Sequence, residues 1–576
     1  MKVIRARAAE SRAESRAGNE AGRPVVSRFA AAGCGLLAAL AALAAARLAA
    51  GLTGPQAAPL TAVGSALIDL TPRWLEELAI RWFGSDDKTA LVTGMTVAVA
   101  VLAAAVGLAA PRRRALSYGT LAGLGLTGGV AALSRPGSTV SNLGPSLVAV
   151  AAGLAALHVL RARLLRAFPP PAARPRPMPD APADEPADDP ADDLGDEPGD
   201  EIGVRHVDAT PAAARGAGTA REDRRALLRA GAAVLGLAAA GEAGGRAITD
   251  WRAVADGTAA RPELPAPADP APALPAGTGS PVPGLSPFIT PTAAFYRVDT
   301  ALVVPRVPYR RWRLRVHGLA ARPYEVSFDE LLALPLIERN ITLTCVSNEV
   351  GGPYVGTARW LGVDLAALLR RAGVRAGADQ ILSHSADGWT CSTPLEAVLD
   401  GRDALLAVGM NGQALPPEHG FPARMVVPGL YGYVSATKWV TDITLTRFAD
   451  RPAYWTQRGW AERAPIKTAS RIEVPKPFAR LPAGPAVIAG TAWAQHRGVA
   501  AVEVRIDGGS WRQARLTPWA GPDTWRQWRL DWAATPGRHR VEVRATDVTG
   551  HVQPAARVPP FPDGATGWHS VLVTVT

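Results

Sequence analysis

Cysteine is scarce in this sequence: Cys34, Cys345 and Cys391 are the only three in 576 residues, and they form neither a CxxC pair nor a CxxCH site. That excludes a disulfide-built scaffold and covalent haem attachment. Histidine is scarce as well, with nine in all. Only His158 falls in a membrane-like stretch, so the chain's own apolar helices cannot supply paired histidine ligands, and no haem is expected in this chain. Charged residues make up 20% of the chain against 48% hydrophobic ones, yet basic residues outnumber acidic ones and give a net charge of +11. No zinc finger or ribonucleoprotein aromatic motif accompanies that surplus, so no nucleic-acid partner is expected, and membrane topology explains the basic charge better. The length suggests about three or four folding units. With 57 Gly and 51 Pro, a mean hydropathy of +0.06 means that apolar and polar stretches are segregated along the chain.

What is present is first a basic tail, residues 1–28, and then a run from Phe29 to Leu52 whose only charge is Arg47. Similar runs follow at Thr89 to Ala110, Ala115 to Leu133 and Asn142 to Leu160, predicting a four-span membrane region over 29–166. Soluble Ala-rich helices are the alternative, but those carry a charged face that these runs lack. Arg112 to Arg114 follow the second run, and Arg161, Arg163 and Arg166 follow the fourth, which puts both ends on the cytoplasmic side with the tail. The loop from Gly54 to Lys88 is then external, and Trp74 to Trp82 has the spacing of an interfacial helix. Residues 167–222, with their acidic Pro/Ala run from Asp180 to Glu201, read as a disordered cytoplasmic linker. Arg224-Arg225 leading into Ala230 to Gly241 resembles a twin-arginine signal, here a signal or anchor helix over 223–250, with a cytoplasmic amphipathic helix as the alternative. Five spans place everything beyond residue 250 outside, after a Pro/Ala linker, 251–285, that reads as a semi-extended spacer holding the next unit off the membrane.

Residues 286–471 mix short β-rich runs (Trp312 to Val316, Ile341 to Cys345, Ala423 to Val427, Trp439 to Thr446) with helical ones (Phe328 to Leu334, Leu365 to Ala372), the pattern of an α+β domain. Residues 472–576 carry short strand-like runs divided by Gly, Pro and Asp turns, the pattern of an immunoglobulin-type β-sandwich.

The chemistry centres on Cys345, at the end of an apolar alternating run where a strand gives way to a Gly-rich loop. The residues alone leave three readings: a soft-metal ligand, a nucleophile with His317, His384 or His419 as base, or a buried structural thiol. The segment from His419 through Arg424 to Lys438 and Trp439 gathers His, Arg and Lys on turns framed by Pro and Gly. Such a layout suits a phosphorylated ligand. Cys391 is expected to be a buried structural thiol. The five tryptophans from Trp511 to Trp532 read as core and dimer contact.

Together these motifs resemble the sulfite oxidase family of molybdopterin-dependent oxidoreductases over roughly the half of the chain from Ser286 to Thr576. Cys345-x-x-Asn348 is similar to the family's molybdenum-binding loop, Gly356 to Val363 to the segment after it, and Phe295 to Asp299, before Pro305, to its N-terminal cofactor loop. His419, Arg424 and Lys438-Trp439 resemble its pterin-phosphate site, and Gly490 to Trp493 with Arg544 to Asp547 its C-terminal immunoglobulin-like dimerisation domain. The resemblance implies a multidomain enzyme: a transmembrane helical region, an α+β molybdopterin domain and an immunoglobulin-like sandwich. It implies Cys345 as the metal ligand, and Cys345 and Arg297 as catalytic. It further implies cofactor contacts from Phe295, Tyr296, Arg297, Asp299, Asn348, Ser385, His419, Arg424, Ala436, Thr437 and Lys438.

The expected reaction is oxygen-atom transfer outside the cytoplasm on a small or sulfur-containing substrate, by sulfite oxidation or sulfoxide reduction. The partners it implies are membrane lipid, a separate electron carrier such as a cytochrome or quinone-linked membrane protein, and a second copy bound through the C-terminal domain. Two departures bear on substrate: Glu349 follows Asn348 where sulfite oxidases continue with basic residues, and Asp299 stands where they place a His. The competing readings are an extracytoplasmic thiol enzyme using Cys345 with a His base, and a non-catalytic anchored adhesion module.

Overall fold

The computed structural model describes residues 27–72, 75, 78, 82–83, 87–135, 138–168, 212–255 and 261–576. By contacts the chain divides into two compact units. One comprises 1–53, 93–129 and 143–245; the other comprises 54–92, 130–142 and 246–576.

Among the described residues, five helices are long and apolar enough to cross a membrane: Arg28–Thr53, Lys88–Ala109, Arg114–Leu133, Val140–Ala167 and Arg221–Ala255. Small residues set their packing. A Cβ on Gly35 would lie 1.9 Å from the Ala103 carbonyl, and one on Gly107 would lie 2.2 Å from that of Ala31, so only glycine lets these two backbones touch. The last helix differs from expectation at both ends, running unbroken over Ala212–Ala255. It takes in the end of the expected linker and passes through Glu242, which offsets its charge against Arg47 at 3.7 Å. A further apolar helix, Pro59–Leu70, follows the first of these helices. The expected interfacial helix, Trp74 to Trp82, and linker residues 169–211 fall mostly or wholly outside the described residues.

Residues 313–446 carry two sheets. In the first, β1 (Arg313–Gly318) lies between β2 (Tyr324–Ser327) and β10 (Val440–Thr446), and β5 (Gln380–Ser385) and β6 (Thr390–Pro394) complete the order β2-β1-β10-β5-β6. Only β1 and β10 run parallel. In the second, β3 (Leu336–Thr344) pairs with β4 (Val355–Asp364), and β4 with β7 (Leu405–Met410), which also carries β8 (Gln413–Ala414) and β9 (Arg424–Val426). β-branched and aromatic residues buried on these strands, such as Ile341, Val363 and Trp360, form the core beneath the site.

The Pro/Ala stretch is no free spacer. Ala268 donates its N–H to the Leu336 carbonyl at 2.8 Å, Glu338 donates to Asp269 at 2.8 Å, and Asp269 bridges to Ile337 in parallel. Proline-rich chain keeps its carbonyls and few N–H groups free. It therefore straps the unpaired edge of β3 instead of standing off.

The C-terminal region is two sheets over one core, contributed by Ile488, Trp528 and Leu530 from one sheet and by Val502, Val541 and Val573 from the other. The first strand of this region, Ala469–Val474, pairs with Gly484–Trp493, so the boundary expected at 471/472 cuts through a strand that already belongs to the C-terminal sheet. The long strand Gly484–Trp493 is an element that the runs of hydrophobicity did not mark out.

Candidate active site

Cys345 follows directly on β3, and its loop is braced by its own residues. The Cys345 N–H donates to the Tyr354 carbonyl at 3.0 Å, and the Asn348 N–H donates to the Cys345 carbonyl at 3.1 Å. Asn348 in turn accepts the Tyr354 N–H on Oδ1 at 2.8 Å. A Cβ on Gly352 would sit 2.7 Å from that oxygen, so the loop needs glycine there. Asn348 thus shapes the cysteine loop. Burial pushes the Cys345 thiol up, opposed by hydrogen bonds from Ser347 and Val346 and by the charge of Lys438. A buried thiol in a nest of donors beside a cation is set to become a thiolate ligand once a metal supplies further positive charge.

Opposite it, β9 begins at Arg424, which is only 6% exposed. Its guanidinium donates to the carbonyls of His419 at 3.1 Å and Met425 at 3.5 Å, and stands 5.0 Å over Trp360. No carboxylate partners it among the described residues, and burial draws its pKa down to about 10. Lys438 is also buried; its Nζ donates to Asp299 Oδ2 at 2.6 Å and to the Glu418 carbonyl at 3.1 Å. Burial brings its pKa down to about 8, with Asp299 resisting and Arg424 and Arg297 assisting. The next residue, Trp439, takes a left-handed φ of 51°, a strained turn at the site that sets the chain into β10. Gly420, at φ 108°, leaves room that a Cβ would take from Arg424 and Lys438 at 3.0 and 3.1 Å. His419 Nε2 lies 3.1 Å from the Thr292 carbonyl, which can only accept, so that nitrogen carries the proton. Burial and Arg424 push His419 down to about 4, leaving it neutral with Nδ1 as an acceptor.

The segment from Phe295 covers this ground. Phe295 stands edge-on to Trp360 at 5.8 Å and to His419 at 5.7 Å, and stacks on Tyr296 at 5.1 Å. It fits because Gly356 has no Cβ, which would otherwise come within 3.1 Å of its ring. Burial and the nearby Cys345 push the Tyr296 phenol well up. Asp299 accepts from Lys438, from Arg297 Nε at 2.8 Å and from Lys88 at 2.5 Å, and these cations outweigh its burial and hold it well below the usual carboxylate range.

Three cations therefore meet one carboxylate, and a fourth, Arg424, is buried with none. A buried guanidinium without an acid, and a buried thiol that shares Tyr296 with it as a neighbour, suit an anionic, metal-bearing ligand, and the residues fit a molybdenum–molybdopterin group.

The remaining expected residues fall differently. Ser385 is buried where β5 ends, held by its N–H to the Trp389 carbonyl at 2.9 Å, and the next N–H, of Ala386, reaches Trp439 at 2.8 Å. The Thr437 hydroxyl is engaged with Ser383 at 2.7 Å, and Ala436 donates its N–H to Gly432. Cys345 and Cys391 are both free thiols, and Cys391 is fully buried with its sulfur 3.2 Å from the Tyr433 carbonyl. Two of the candidate bases, His317 and His384, gather on Asp442 at 2.8 and 3.5 Å, and His419 is committed to Thr292. A thiol enzyme thus has no histidine hydrogen-bonded to Cys345 among the described residues. Ser347 and Lys88 belong to the site without having been singled out, and Trp360, expected only as part of the segment from Gly356 to Val363, lies under Arg424. Lys88 had one signal: the chain has five lysines, and two of them meet on Asp299.

Residues 301–455 match the family model described as the oxidoreductase molybdopterin binding domain. The oxidoreductase YuiH of Bacillus subtilis, whose name marks it as uncharacterized, is 36% identical over 161 residues, 27% of this chain and 78% of its own. Sulfite oxidase of Gallus gallus is 30% identical over 321 residues, 47% of this chain and 69% of its own. Among solved structures, the sulfane dehydrogenase SoxCD of Paracoccus pantotrophus is similar at 28% identity and a TM-score of 0.45, over 50% of this chain and 81% of that one. With identity of this order sustained over most of a sulfite oxidase, the chain belongs to the sulfite oxidase family of molybdopterin oxidoreductases.

Proposed function

We propose that this protein is a membrane-anchored molybdenum-cofactor oxidoreductase that moves an oxygen atom to or from a small sulfur-containing substrate outside the cytoplasm. The observation that carries the reading is the pairing of buried Cys345 with the uncompensated Arg424. When bound, the molybdenum–pterin group supplies a redox-active metal able to exchange an oxygen atom with substrate. Cys345 would hold the metal, Arg424 and Lys438 the pterin phosphate, and neutral His419 would offer Nδ1 to a cofactor donor. Phe295 and Tyr296 exclude water above the thiol. Arg297, at the rim and half-exposed, is placed to orient an oxyanion or sulfoxide oxygen through its guanidinium.

The topology supports the location. Residues 54–92 and 130–142, external by the distribution of arginine, fall in the same compact unit as the catalytic region. Asp69, at the end of Pro59–Leu70, accepts from Tyr454 at 3.4 Å and pairs with Arg135 at 2.7 Å. Electrons would pass to or from a separate carrier. The C-terminal two-sheet region serves, on this reading, as an immunoglobulin-like dimerisation domain. The test is metal and pterin analysis of the full-length protein beside Cys345→Ser, with sulfite and methionine sulfoxide as substrates. Near-stoichiometric molybdenum, with a redox spectrum that changes in the variant, is expected. Molybdenum-free protein from a host that makes the cofactor would overturn the assignment.

A further inference from the structure

All but one of the side chains at the site come from residues 290–440. The exception, Lys88, opens the apolar helix Lys88–Ala109 and lies 211 positions before the residue it binds. Its Nζ donates to Asp299 Oδ1 at 2.5 Å and to the Ala301 carbonyl at 2.9 Å. The other oxygen of Asp299 takes Lys438, and Arg297, from the same segment, spans both, with Nε on Oδ2 at 2.8 Å and Nη2 on Oδ1 at 3.2 Å. One carboxylate, its side chain 6% exposed, thus joins the start of an apolar helix to the cation lying beside Cys345. A charge-assisted bond at that depth outweighs an exposed ion pair. Another contact of this stretch, Asp69 with Tyr454 and Arg458, does not touch the segment from Phe295 to Asp299.

We propose that Lys88 is a positioning residue that locks the Phe295 to Asp299 segment shut over the cofactor site, so that the first turn of the helix Lys88–Ala109 completes the pocket. The proposal rests on the reading of that pocket as the molybdenum site. Without Lys88, Asp299 keeps Lys438 and Arg297, but the segment loses its fastening at Asp299 Oδ1 and Ala301. It then opens more often, uncovering the sulfur beneath Phe295 and Tyr296.

The experiment follows two rates in the full-length protein in detergent: loss of molybdenum on dialysis, and labelling of Cys345 by a thiol reagent, read by mass spectrometry. Lys88→Met is expected to raise both roughly tenfold, the effect of one lost charged hydrogen bond. Lys88→Arg, which keeps the charge, and Asp69→Asn, which loosens the side-chain contacts to Tyr454 and Arg135 and leaves those of Asp299 untouched, should stay near wild type. Should Lys88→Met fail to fold, Lys88→Gln takes its place. Wild-type rates in the uncharged variant would overturn the lock. So would an equal acceleration in Lys88→Arg or Asp69→Asn, because the effect would then be general loosening. Molybdenum-free wild-type protein would instead overturn the cofactor reading, while the labelling ratio still decides the role of Lys88.

Discussion

Arg471 in the C-terminal sheet and Arg424 in the active site are buried alike, at 7% and 6% exposure, but their surroundings are opposite. Arg471 grips Glu473 at 2.7 Å and donates to the Gly352 carbonyl at 2.7 Å, while Glu473 also accepts from the Ser286 N–H and the Thr491 hydroxyl. Arg424 has two carbonyls and the face of Trp360. Burial alone therefore says nothing about function. The missing counter-charge does, because a folded chain tolerates a desolvated guanidinium without an acid only where something else is to neutralise it.

The largest expected effect breaks the satisfied pair. Glu473→Gln leaves Arg471 buried and unpaired and should cost about 3–5 kcal/mol of stability, seen as a lower denaturant midpoint, with loosening where Ser286, Gly352 and Thr491 meet. Arg424→Met should do the reverse: the cofactor-free chain becomes no less stable, while molybdenum retention falls roughly ten- to a hundredfold through loss of charged contacts to phosphate. A matching loss of stability in both variants would erase the contrast.

Acid sharpens it next. Arg471 and the Ser286 donors outweigh burial and hold the Glu473 carboxyl below its ordinary value. Its contribution is therefore complete above an unfolded-state pKa of about 4.3 and is lost as pH falls through the lower folded value. Unfolding of the cofactor-free chain between pH 5 and pH 2, both taken as roughly bracketing that range, should show a steeper decline in wild type than in Glu473→Gln.

The smallest effect is at Lys438. Because its pKa is pulled down to about 8, the pocket loses a positive charge as pH rises through that value when no cofactor is bound. Inorganic phosphate, measured by calorimetry on the cofactor-free chain, should bind several-fold more weakly above it than below. A flat profile would mean that Lys438 does not face the anion.

Much of this was legible in the sequence. The apolar spans stand out because charge is nearly absent from them. Cys345, His419, Arg424 and Lys438 carry enough local pattern to be picked out, and the structure brings them together. What escaped depends on contacts distant in sequence. Glu242 looks like a helix terminator until Arg47 is found 3.7 Å away on another helix. Lys88 has no motif around it, and its partner is 211 positions on. The Pro/Ala stretch has the composition of a spacer, and only the unpaired edge of β3 explains why it docks.

That docked stretch also decides where the catalytic region can be cut. Ala268 and Asp269 occupy main-chain groups that an excised fragment starting at Ser286 would leave bare along β3, with the side chain of Leu264 withdrawn from the core as well. Such a fragment presents an open edge to other copies of itself and is prone to self-association, whereas one that begins upstream of Leu264 brings its own cover.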